Sequence, residues 1–110
     1  MSDKPTRHYS DQHEKRTAKV LNSKVQVCSG SSSFYKGDVV SKNCLIECKT
    51  CIKEKKSVSI KKEWLEKIEE QSFSMRKKFG VVAFDFGDDE NYYIINEKTF
   101  KQFINYLETL

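Results

Sequence analysis

The chain is predicted to form an α/β domain, a mixed sheet flanked by helices in the order helix, three strands, helix, two strands, helix. Three observations predict it. Apolar residues recur at helical spacing in three separated stretches, short alternating or β-branched runs lie between them, and glycine, asparagine and aspartate clusters mark the joints. At 110 residues the chain suits one compact core and requires no second domain.

Residues 1–9 are polar and hold the only proline, so they read as a flexible tail ahead of a single domain spanning 10–110; Lys4 and Arg7 of the tail could brush phosphate. A helix is expected from Ser10 or Asp11 to about Leu21. Asp11 with Glu14 three residues on has the spacing of a capping box, a purely structural role for Glu14. Glu14 also shares a helix face with Ala18 and Leu21, which turns an acid inward. The spacing supports both readings.

Lys24–Cys28 alternates as a half-buried strand does. Ser29–Ser33 follows, where Gly30 and four serines make either a small-residue linker or a phosphate-contacting loop. Next comes the stretch on which function turns. A strand carrying Asp38 leads through Lys42-Asn43 into a second strand, Cys44–Lys49. Alternation puts Glu47 and Lys49 on one face, about 6 to 7 Å apart, with Cys44, Ile46 and Cys48 on the other. A two- or four-residue loop sets Asp38 opposite Glu47; a three-residue loop would set it opposite Ile46. Two carboxylates side by side repel unless a cation or a proton lies between them. One or two carboxylates with waters suit Mg²⁺ or Mn²⁺, and a lysine one strand step away could orient water and offset charge on a phosphate.

Thr50–Val58 carries Lys53, Lys55 and Lys56 and reads as an exposed loop, either simply solvated or a rail for DNA. Lys61–Phe79 fits a helix with Leu65, Ile68, Met75 and Phe79 near one stripe, Trp64 widening it and Gly80 as stop signal. Arg76, Lys77 and Lys78 suit that helix's C-terminal end. Val81–Phe86 and Tyr92–Ile95 are strand-like, and Asp88, Asp89 and Glu90 between them are either a solvated turn or metal ligands. Asn96 caps a last helix whose Phe100, Phe103, Ile104 and Leu107 are expected to be core.

GlyAspVal at 37–39 followed by IleGluCysLys at 46–49 resembles the bipartite PD-(D/E)xK nuclease motif, with Gly37 where the motif's proline would stand. The look is to archaeal-type Holliday-junction resolvases and their phage relatives, from about Glu14 to Tyr106. The resemblance implies a restriction-endonuclease-like sandwich and a Mg²⁺-dependent endodeoxyribonuclease, with Mn²⁺ as substitute ion. By the same resemblance, Asp38, Glu47, Glu14 and the main-chain carbonyl of Cys48 hold the metal, and Lys49 assists. The resemblance implies DNA contact by Ser31 and Ser32; Lys36 and the lysine run Lys53, Lys55 and Lys56 are the further DNA-binding candidates. The implied substrate is a four-way junction in recombination and the implied partner a second copy; Phe84, Phe86, Tyr92 and Tyr93, left over from the core count, either form its docking patch or face the two helices. A restriction, flap or repair nuclease acting on branched or duplex DNA, or a non-catalytic DNA-binding module, would share these residues.

A net charge of +4 permits nucleic-acid binding without demanding it. No stretch has the apolar run of a signal peptide or a membrane span, so a soluble intracellular protein with reduced cysteines is expected. Cys48 and Cys51 form a C-x-x-C, but no second one accompanies it; Cys44 and Cys48 alternate as small buried residues do, so zinc is not expected.

Overall fold

The computed structural model describes residues 6–26 and 38–110, and shows a five-stranded mixed sheet with three helices. The elements are α1 Thr6–Val20, β1 Lys24–Val25, β2 Val39–Val40, β3 Cys44–Lys49, α2 Lys62–Ser74, β4 Phe79–Asp85, β5 Asn91–Ile94 and α3 Glu97–Glu108. The strands lie in chain order, with β3 and β4 parallel and every other pair antiparallel. Connecting two parallel strands needs a crossover, and α2 provides it.

Alternation along the central strands builds two cores. Ile46, Val81 and Ala83 join Val39 and Ala18 of α1 on one face, with Cys44 and Cys48 packed against them. Leu45 and Val82 join Ile68 of α2 on the other, flanked by Val40, Trp64, Leu65 and Met75. Because Cys44, Ile46 and Cys48 take the α1 side, Leu45, Glu47 and Lys49 take the α2 side. Buried from both faces, β4 accordingly reads as a near-continuous apolar run.

Helix boundaries depart from expectation. Helix α1 begins at Thr6, a turn before Asp11, so Asp11 lies inside the helix and the capping-box role of Glu14 falls away. Residues 6–9 of the expected tail are therefore helical. Helix α2 ends at Ser74, and Arg76 takes a left-handed φ of 58° that turns the chain into β4. Gly80 is thus not a helix stop. It sits in β4, where a β-carbon would come within 2.8 Å of the Ile68 carbonyl oxygen, so its bareness lets α2 lie close on the sheet.

The largest departure is α3. Asn96 caps it as expected, accepting from the Thr99 N–H at 2.8 Å. Yet the stripe expected to be core is open to solvent, with Phe100 54 % and Leu107 55 % exposed. The helix meets the body near its start, through buried Thr99 and the Phe103 ring 5.4 Å from that of Phe79, and then runs clear of it.

Candidate active site

The β2–β3 hairpin brings the expected acids together. Its register is Val40 opposite Leu45 and Val39 opposite Ile46, as a two-residue Lys42-Asn43 loop requires. Three side interactions fix the turn: Ser41 N–H donates to the Cys44 carbonyl at 3.0 Å, Cys44 N–H donates to Ser41 Oγ at 3.1 Å, and Lys77 Nζ donates to the Ser41 carbonyl at 2.7 Å. Lys77, expected only as a helix-end cation, therefore clamps the hairpin.

One residue further on, the ladder changes. Asp38 N–H donates to the Ile46 carbonyl at 2.9 Å and the Asp38 carbonyl accepts from Gln26 N–H at 2.8 Å, so its main chain is held from both neighbouring strands. Its carboxylate accepts from the Cys48 N–H at 2.8 Å. This places Asp38 beside Glu47 through a side-chain anchor on β3, not through simple cross-strand opposition.

The electrostatics record that closeness. Burial, then the charge of Asp38 and a hydrogen bond with it, push the Glu47 carboxyl up to about 7, against the pull of Lys49 and Lys67. Lys49 Nζ lies 3.9 Å from Glu47 Oε1 and 4.9 Å from the centre of the Trp64 ring, so an α2 aromatic holds the ammonium in place. Between them, the Cys48 thiol is pushed up to about 12 by burial first, then by Asp38, Glu14 and Glu47, partly offset by a hydrogen bond with Thr17. Glu14, half-buried on α1, thus acts on the same strand residue as the two acids.

The donor set fits a small hard cation. Two adjoining carboxylates, one of them resisting ionisation through burial and then through the charge of the other, are what a divalent ion would relieve, and such ions take one or two carboxylates with waters. Among the described residues no three His, Cys, Asp or Glu side chains converge as a metal-holding group. Cys44 and Cys48 face the α1 core, and Cys51 Sγ donates to the Asp85 carbonyl.

Beside Glu47 and Lys49 a groove of about 480 Å³ opens against α2, lined also by Glu63, Trp64, Glu66, Lys67 and Glu70. Four glutamates against two lysines make it acidic, so a phosphate backbone is not drawn in from that side. The exposed loop bearing Lys53, Lys55 and Lys56 follows β3 and is tied to β4 by Lys55 N–H donating to the Phe86 carbonyl at 2.8 Å. Ser31, Ser32 and Lys36, like Lys4, Gly30, Gly37 and Cys28, lie outside the described residues, and so does the side chain of Arg7. Asp89 belongs to the β4–β5 turn and pairs with Arg16 at 3.0 Å.

The sequence reading missed a buried cluster on the α1 side of the same sheet end. Asp85 is 2 % exposed and accepts from Arg16 at 2.8 Å, from Thr50 at 2.8 Å and from the main-chain N–H groups of Gly87 and Cys51. Burial would raise its pKa, but these donors together hold it below the usual carboxylate value. His13, buried beside it, donates from Nε2 to Asn91 at 2.7 Å; burial lowers its pKa despite the partial compensation of Asn91 and Asp85. An acid ending a hydrophobic strand, one helical turn of basic residues far upstream and a threonine after the site lysine were the available signals. No local spacing links them.

Compared with known proteins, the chain matches no family model, no curated protein and no solved structure.

Proposed function

We propose that the chain is a divalent-cation-dependent DNA endonuclease of restriction-endonuclease-like build, acting on branched DNA. The observation that carries this reading is the abutting Asp38–Glu47 pair with Lys49 beside it. Asp38 and Glu47, with the Cys48 main-chain carbonyl, would hold Mg²⁺ or Mn²⁺. Bound there, the ion supplies Lewis acidity toward a phosphodiester and a lowered pKa for water. Lys49, positioned by Trp64, donates to an attacking water or to the charge growing on phosphate. Glu47 accepts a proton at neutral pH more readily than an ordinary glutamate, which couples ion binding to proton release. Lys53, Lys55 and Lys56 steer the backbone toward the sheet end, because the α2 groove is acidic. The resemblance of the Asp38…Glu47-x-Lys49 pattern to junction resolvases supplies the substrate class.

The test is cleavage of a four-way junction, a flap, a duplex and a single strand with Mg²⁺ or Mn²⁺. Asp38→Asn should abolish cutting with the fold intact, and Lys49→Ala should slow it by about 10²-fold or more while leaving ion binding. Preference for linear DNA would remove the junction assignment; no cutting of any substrate would remove the nuclease assignment.

A further inference from the structure

Helix α3 carries an apolar face that the described residues do not cover. Phe100, Phe103, Ile104 and Leu107 form one stripe; Tyr106 and Leu110 widen it, Leu110 being 84 % exposed. Taking 150–250 Å² for a large side chain, these exposures leave roughly 600 Å² of apolar surface, at the upper end of what a monomer tolerates. Next to Phe103 the surface continues into an apolar groove of about 310 Å³ lined by Leu21, Cys44, Ile46, Val81 and Ile95. A standard interface takes about 800 Å² from each partner, which stripe and groove together approach.

We propose that a second copy of this chain covers that face, through antiparallel packing of α3 on its symmetry mate about a two-fold axis between Phe103 and Ile104. The pattern is self-complementary under that operation. Phe103 then meets the partner's Ile104 and Phe100 meets the partner's Leu107. Charge agrees: Lys101 and Glu108 lie on the same flank of the stripe, and antiparallel packing brings Lys101 within about one residue's rise per chain of the partner's Glu108, twice over. Parallel packing would put the two Lys101–Glu108 flanks on opposite edges of the seam, so neither lysine would meet the partner's glutamate. The two helix dipoles oppose, and the partner's Leu107 and Leu110 arrive over the groove beside Phe103. This placement differs from the face first expected. Phe84, Phe86 and Tyr92 stack on one another on the α2 side, ring centroids 5.5 to 5.8 Å apart, whereas Tyr93 lies on the α1 side, so those four residues form no single patch.

The inference does not depend on the nuclease reading. Sedimentation or light scattering on the full chain at about 50 μM should give twice the 12.9 kDa chain mass. Because both positions are exposed, Ile104→Asp with Leu107→Asp should give a monomer with an unchanged far-ultraviolet spectrum. Lys101→Glu should weaken the dimer at least tenfold, and adding Glu108→Lys should restore it. A wild-type monomer at that concentration, or a dimer indifferent to the Ile104 and Leu107 changes, overturns the interface. Failure of the charge swap to restore association overturns the antiparallel arrangement.

Discussion

Glu47 shows how one neighbour sets a residue's chemistry. Held near 7, its carboxyl keeps its proton in the folded chain under conditions where the unfolded chain has lost it. The stabilisation is full below the ordinary value of 4.5 and is lost as pH rises through about 7, a change on the order of 1–3 kcal/mol without divalent ions. Thermal melts in chelator should therefore fall between pH 5 and pH 8, Glu47→Gln should flatten that fall, and Mg²⁺ should restore stability at pH 8 far more than at pH 5. Equal pH dependence in the variant would remove Glu47 from the pair. Asp85 has the opposite sign: its lowered pKa adds stability present above the ordinary 3.8 and lost as pH falls. Asp85→Ala leaves the Thr50 hydroxyl and two main-chain donors without their acceptor and removes the buried partner of Arg16, which keeps Asp89 and Asn91, at a cost on the order of 2–4 kcal/mol, with urea unfolding as the readout. A midpoint close to wild type would mean that the cluster carries little.

At the scale of elements, α2 is held close on the sheet by the absence of a side chain at Gly80. Gly80→Ala should lower stability by about 1–3 kcal/mol, because the Ile68 carbonyl cannot easily yield; an unchanged denaturation midpoint would place α2 further from β4. The same element marks where sequence reading stops. The hairpin register was legible because a period of two leaves few choices once Cys44, Ile46 and Cys48 must face inward. The side-chain anchor of Asp38 on the Cys48 N–H was not, since no periodicity encodes it. The α2 stop was misplaced because Gly80 resembles a helix terminator, while Arg76, with no glycine signal, makes the turn. The α3 stripe showed that a face seeks cover but not which molecule covers it. Asp85, Arg16 and Thr50 are far apart in sequence, so only the assembled sheet end joins them.

For the whole molecule, the two proposals make a joint prediction. A two-fold dimer presents two Asp38–Glu47 sites to one substrate, and a four-way junction has matching two-fold symmetry. The Ile104→Asp, Leu107→Asp monomer should therefore still nick but lose paired cuts, a difference visible when product linkage is followed on a closed junction; paired cutting by the monomer would uncouple the two. Beneath the nuclease proposal lies the claim that the hairpin acids seat a divalent cation. Calorimetric titration of Mn²⁺ into the chelator-treated chain at pH 8, in two buffers of different ionisation enthalpy, tests it directly. The account predicts a saturable site with proton release near neutral pH, and loss of that site in Asp38→Asn. Absence of binding in the wild type, or equal binding in the variant, would contradict it.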